Sequence, residues 1–529
     1  MNKHNKFFVH TILASLIVSG LASNVTAQTL YPPNNAVNVN PDVQLKITFA
    51  QTPTIGKRGK IRVFDADTGA LVDELDISIP PGPTERASGD ALRAPYLSNP
   101  YPTDELPEDR PVYLSNPYPY DDLPKGRTNK NTKAGTPSAN ATPPPPNYQL
   151  SIIGGFTDGF HFYPIIVDGN SAIIQLHHNL LEYGKQYYVE VDEGVLQLGG
   201  DNFKDIEGKK VWRFSTKSSD MAPPLSVREV VVSQDGNSDF NTVQGALDFA
   251  PDNNPQRFTI SVRNGTYHEI VYFRKKNNIT IRGEEAGQVK ITYANNEVFN
   301  PHPDNLKTNE RPGTFPSRRA TFTADNVEGI HLVNLILETT APGQAEGLLI
   351  TGERNILDHV DVIGAGDALQ VNGSTYIVDS SVTGTGDTIL GRGPAFFERC
   401  TIKSTRVFMW IRNNDGNHGN VFSNCTFIGT GPEPTTLARS PKNNVSIYPY
   451  AEVVLLNSTL SGIVPGGWGV ADLGGQVKFW EFNSRNPDGT PVDIGQRVSW
   501  SRQLDREKDA EFIRNYNDPS FILGWDPNQ

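Results

Sequence analysis

The stretch Gly364–Gly391, GAGDALQVNGSTYIVDSSVTGTGDTILG, decides the fold. It carries one short phrase twice, Gly366-Asp367-Ala368-Leu369 and Gly386-Asp387-Thr388-Ile389, with the aspartates 387 − 367 = 20 residues apart. Strand-forming runs recur around it. Ile356–Val360, Tyr376–Ser380 and Phe396–Cys400 stand at steps of 20, and Val421–Cys425 and Val454–Ser458 follow at steps of 25 and 33. Short β-branched or aromatic runs at such a period predict stacked coils, a right-handed parallel β-helix in an all-β chain. Residues one period apart then share a face and lie about 4.8 Å apart along the stack. Asp367 and Asp387 become neighbours. Two carboxylates at that range cannot both ionise cheaply, so one pKa rises and the other stays low, which separates an acid from a nucleophile or base. A single Gly-Asp is ordinary turn chemistry; two in register point to a site.

The whole chain, 529 residues, is long enough for two or three domains. Met1–Leu21, with Lys3 and Lys6 ahead of an apolar run and Val25-Thr26-Ala27 as a small-residue cleavage site, reads as a signal peptide ending at 27. The chain is expected to be exported, to the periplasm or outside the cell, and no later run is long enough to span a bilayer. Only two cysteines occur, Cys400 and Cys425, so this is not a disulfide scaffold; their matching places in successive repeats predict a free, buried pair. The net charge, 47 − 59 = −12, argues against nucleic acid or an anionic membrane as partner. A monomer is expected.

Before the repeats, residues 28–217 read as seven or so short strands: Val43–Phe49, Lys60–Asp65, Ala70–Ile77, Phe160–Val167, Ser171–His177, Gln186–Val191 and Val211–Lys217. That pattern predicts a β-sandwich, and the region resembles bacterial immunoglobulin-like modules, with YPP near the start and WRFSTK at Trp212–Lys217. No chemistry is evident in it; it reads as a spacer or binding module. Residues 80–147, rich in Pro, Asn, Ser and Thr, interrupt it and are predicted to be disordered. A linker at 218–226 leads to a helix at Val243–Ala250, placed to plug the open end of the coil. The coil is expected from Gly329 to about Trp480 within a domain at 227–529, with a terminal helix at Asp505–Asn515.

In this second region Val231–Gln244, VVSQDGNSDFNTVQ, and Gly265-Thr266-Tyr267-His268-Glu269 are similar to the opening and to the GxYxE motif of the pectin methylesterase family. Gly343–Leu348 resembles GQAVAL, Gly366–Leu369 resembles QDTL, Gly384–Gly391 resembles GTVDFIFG and Leu437–Pro441 resembles LGRPW. The resemblance runs from about Arg228 to Trp525 and implies an esterase that removes methyl groups from pectin-like galacturonan, with neither metal nor cofactor. It implies Asp387 as nucleophile, Asp367 as acid then base, Arg439 as partner of Asp387 and Gln344 as an oxyanion donor. Gly366, Thr388 and Trp468 fall at substrate-binding places, with core packing the alternative for Trp468. Trp410 reads as packing or rim.

The departures are informative. Gly366 replaces the Gln of QDTL, Thr388 and Leu390 replace aromatics, and Pro441 replaces the Trp of LGRPW. The acids and the arginine are kept, so the chemistry is better supported than the substrate. A β-helical lyase or hydrolase, a related ester hydrolase, or a non-catalytic carbohydrate-binding surface protein with a decayed site remain as alternatives.

Overall fold

Among the described residues, the strands from Glu229 onward pair in parallel, with only isolated antiparallel bridges at Lys442–Ile447 and Arg485–Pro491. Glu229–Val232 pairs with Phe258–Val262, which pairs with Ile279–Gly283, and the ladder continues coil by coil to Lys478–Phe482. The periodic runs stack as the spacing predicts: Ile356 on Tyr376, Tyr376 on Phe396, Phe396 on Val421 and Val421 on Val454. The protein, seen here as a computed structural model, is described at residues 28–85, 149–151, 153–154, 160–252, 254–274, 276–300, 318–442, 447–469 and 476–529. The signal peptide and nearly all of the Pro-rich insertion read from the sequence lie outside the described residues.

The all-β architecture and the parallel β-helix are as expected, but the coil starts about a hundred residues before Gly329. The early coils were hidden because the step from Ile279–Gly283 to His331–Thr339 is far longer than the steps around it and breaks the period. From Asn334 onward each coil turns one of its corners on a left-handed residue, at Asn334, His359, Asp379, Arg399, Asn424, Asn457 and Asn483, with φ between 47° and 56°. Asn and Asp adopt this conformation with little penalty, because their short side chains hydrogen-bond locally. Inside, like stacks on like. Phe397 and Phe422 lie with ring centroids 4.4 Å apart, and the Cys400 N–H donates to Cys425 Sγ at 3.4 Å, both thiols being free and buried. Each large apolar side chain taken from water contributes roughly 1.5–3 kcal/mol, which is ample for a core of this length.

The helix Val243–Phe249 closes the first coil. Thr242 caps it, accepting from the Gly245 N–H at 3.0 Å, and Val243, Ala246 and Leu247 enter the coil core. The predicted C-terminal helix is two short ones, Ala510–Tyr516 and Pro519–Leu523, which cover an outer face through Tyr516, Ile522 and Leu523.

Before the coil, a four-stranded and a five-stranded sheet, antiparallel except for one pairing, share one core that includes Leu45, Ile47, Ile174, Val63, Val189, Trp212 and Phe214. Phe160–Val167 is not one strand. Phe160–His161 leaves the sheets to pair with Leu150–Ser151, and Ile165–Asp168 stays behind. The reason is docking. The Tyr163 ring stacks on Phe299 at 4.5 Å, the His161 N–H donates to Asn300 Oδ1 at 2.8 Å, and Phe160, Tyr272, Tyr293 and Phe299 form a separate core cluster between the two regions.

One sheet of the coil carries the site. Its six strands are Val271–Arg274, Phe322–Glu328, Leu348–Glu353, Leu369–Asn372, Ile389–Gly391 and Met409–Ile411. Phe322, Leu348, Leu369, Ile389 and Met409 are in register, and Ala438 bridges to Met409.

Candidate active site

Register fixes which side chains meet. Asp367 and Asp387 each stand two residues before the in-register Leu369 and Ile389. Gly366 bridges Gly386, and the Asp367 N–H donates to the Gly386 carbonyl at 3.1 Å. Both aspartates are left-handed, at φ 64° and 43°, so each acid is held at a coil corner in a conformation few residues tolerate.

The environments of the two acids differ. Asp387 accepts from Arg439 Nη1 at 2.8 Å through Oδ2, while its buried Oδ1 has no hydrogen-bond partner among the described residues. Its side chain keeps 19% of its exposure and that of Arg439 keeps 39%, so this side of the corner reaches solvent. Asp367 is 3% exposed. Burial pushes its carboxyl up to about 7; Arg319 and Arg412 resist that rise, and the charges of Asp387 and Glu346 add to it. One carboxylate is paired and open, and the other is buried and proton-retaining.

Arg439 arrives from beyond the last strand of this sheet, its N–H donating to the Met409 carbonyl at 3.0 Å. Its guanidinium lies over the Trp410 ring at 4.5 Å, and Arg412 also lies over that ring, at 4.8 Å. A cation held against an aromatic face gains roughly 0.5–2 kcal/mol and loses rotational freedom. Tyr448 meets Trp410 edge-on at 5.9 Å, and its N–H donates to the Pro441 carbonyl at 2.8 Å. Trp410 and Tyr448 are 2% and 4% exposed, so they brace Arg439 from within and do not replace the ring that Pro441 cannot supply. Trp410→Ala is expected to lower kcat/KM about 10-fold or more, mostly in kcat, by freeing Arg439. Steady-state kinetics with pH-stat detection checks it.

The other expected site residues fall out differently. Gln344 is one coil above Gly366, bridges it, and its carbonyl accepts from the Glu297 N–H at 3.0 Å. Thr388 is a correction: its hydroxyl pairs with Ser404 Oγ at 2.7 Å and the residue is fully buried, so it packs rather than meeting substrate. Trp468 is a second correction. It is 3% exposed, donates from Nε1 to Glu481 Oε1 at 3.2 Å and packs on Phe479, which makes it core and not a sugar platform. At Gly366 a Cβ would stand 2.9 Å from the Gly343 carbonyl oxygen, so a side chain there forces backbone to move. Gly366→Gln is therefore expected to leave turnover unchanged or lower it; a several-fold gain in initial rate would contradict this.

Sequence reasoning missed Arg319, Glu346 and the part played by Trp410. A signal for Glu346 was present, since it is a charge inside the otherwise apolar run Ala345–Ile350. The 20-residue step from Leu390 to Trp410 could have placed the tryptophan on the site face.

The sequence model of the pectinesterase family matches residues 229–524, and the chain belongs to that family. Pectinesterase QRT1 of Arabidopsis thaliana is 29% identical over 304 residues, spanning 54% of this chain and 76% of that protein. Pectinesterase 31 of the same plant is 27% identical over 316 residues, spanning 57% of this chain and 95% of that protein. Among solved structures, pectin methylesterase from carrot covers 56% of this chain and 92% of its own, at 21% identity and a TM-score of 0.45. No helix among the described residues is long and apolar enough to cross a membrane.

Proposed function

We propose that this protein is an exported esterase that hydrolyses methyl esters of a pectin-like galacturonan, with Asp387 as nucleophile. The observation that carries the reading is the split between the stacked acids: Asp387 paired to Arg439 with one oxygen unpartnered, Asp367 buried and pushed up to about 7. A carboxylate oxygen of Asp387 attacks the ester carbonyl carbon. As the bond to the methoxy oxygen breaks, Asp367 gives that oxygen its proton, and methanol leaves an anhydride on Asp387. Asp367, now ionised, takes a proton from water. The resulting hydroxide adds to the substrate carbonyl, the bond to Asp387 breaks, and Arg439 receives the freed carboxylate. Gln344, one coil above, is the proposed amide donor to the oxyanion. No step here calls for a metal.

Export rests on the N-terminal sequence pattern, and the substrate class on the family. The deciding experiment incubates the chain from Gln28 with highly methyl-esterified pectin. Methanol release with acidification and no new reducing ends supports the reading. New reducing ends or unsaturated products would point to chain cleavage, and binding without methanol would point to a carbohydrate-binding protein.

A further inference from the structure

Behind the two acids lies a charge cluster that the proposed reaction does not use. Arg319, three residues ahead of Phe322, stretches past the next coil to reach Asp367. Its Nη2 is 2.9 Å from Asp367 Oδ2. Its Nε and Nη2 both donate to Glu346 Oε1, at 2.9 and 2.7 Å, and Nη1 stands 3.8 Å from Glu297 Oε2. The Arg319 and Glu346 side chains are 1% and 0% exposed. Glu346 Oε2 has no hydrogen-bond partner among the described residues.

Such an arrangement is poorly explained by stability. A buried ion pair contributes little over apolar side chains of the same volume, because desolvation offsets the attraction. The Ala345–Ile350 run around Glu346 is otherwise apolar and could have stayed so. What the pair does have is a charged contact with one oxygen of the acid, an ion pair at 2.9 Å that does not meet hydrogen-bond alignment. Gly366 offers no side chain to steady Asp367 from the front, and Arg319 holds it from behind.

We propose that Arg319 and Glu346 form a positioning pair that orients the Asp367 carboxyl and sets the pH at which it keeps its proton. The inference rests on the esterase reading above. With Oδ2 facing the guanidinium, the proton sits on Oδ1, the oxygen left to face the leaving methoxy group. The charge count then fixes when it is held. Facing Asp367 are Arg319 and Glu346 from preceding coils, Asp387 from the next coil and Arg412 beyond the last strand of the sheet, with Glu297 also on Arg319. Glu346 draws part of the Arg319 charge away from Asp367. Burial pushes the Glu346 carboxyl itself up, and Arg319 holds it back. When methanol has left and Asp367 is ionised, the same arginine stabilises the new charge until water returns a proton. Neither residue touches substrate; both act through Asp367.

The test is the pH profile of kcat/KM for methanol release, measured on the chain from Gln28. Wild type should lose rate as Asp367 deprotonates on the basic side. Glu346→Gln leaves Arg319 to pair mainly with Asp367, favours its charged form, and should move the basic limb down by about one pH unit or more. The electroneutral double variant Arg319→Met/Glu346→Leu guards against misfolding. It removes the nearest cation, should move the limb upward, and should lower plateau kcat about 10-fold through lost orientation. Limbs that stay in place in both folded variants, with rates scaled equally at every pH, would overturn the proposal and leave the esterase reading intact. A wild type that releases no methanol at any pH overturns both.

Discussion

Asp387→Asn should reduce methanol release from methyl-esterified pectin by at least about 1,000-fold, the scale expected when a nucleophile is removed. The replacement is nearly isosteric and retains an oxygen to accept from Arg439, which donates to Asp387 at 2.8 Å. Arg439 also keeps its seat on Trp410, so the local fold should survive. What is lost is the negative charge of the carboxylate, and an amide does not form the anhydride. Circular dichroism and thermal melts should match wild type while release falls to background. A variant that retained a tenth of the activity would remove Asp387 from the nucleophile's role.

Asp367→Asn should also be nearly inactive, losing about 100- to 10,000-fold as a general acid is removed, but it should change stability as well. In the folded protein Asp367 keeps its proton up to about pH 7, because burial disfavours the charge. In the unfolded chain an aspartate ionises near 3.9. Between those values the folded state binds the extra proton. The stabilisation from this group is therefore fully present below about pH 4 and is lost as pH rises through about 7. Asparagine never ionises. The variant should melt close to wild type at pH 4 and at a clearly higher temperature at pH 8. A Tm gap that is the same at both pH values would mean that Asp367 does not titrate in this window.

Much of this was legible because a coil converts period into proximity. Twenty residues between Gly366-Asp367 and Gly386-Asp387 is one turn of the stack, so two distant acids could be placed side by side from spacing alone. The Arg439–Asp387 pairing came from motif resemblance, since nothing in the local sequence says where Leu437–Pro441 returns to the sheet. The misreadings have a common cause. Trp468 and Thr388 sit in motifs that elsewhere face substrate, yet here each finds a polar partner inside, Glu481 and Ser404. A sequence shows that a side chain lies near a corner, not which way it leaves the backbone. Arg319 was invisible for another reason. It reaches Asp367 from two coils away and stands three residues before its strand where Asp367 stands two, so no whole number of periods links them.

The contact between the sandwich and the coil also bears on how the protein can be cut and recombined. Asp42, from the first region, accepts from the backbone of Asn241 and Thr242 and from the Thr242 hydroxyl at 2.8, 2.8 and 2.9 Å, just where the plugging helix begins. Tyr163 and Phe160 cover Phe299 and Tyr272. A recombinant fragment starting near Glu229 would carry the whole family-matched region and still emerge with a bare aromatic patch and an unsupported helix entrance, both invitations to aggregate. The two regions are therefore best handled as one piece. A domain shuffle that gave the coil a foreign N-terminal module would have to rebuild this seam before it gained anything from the exchange.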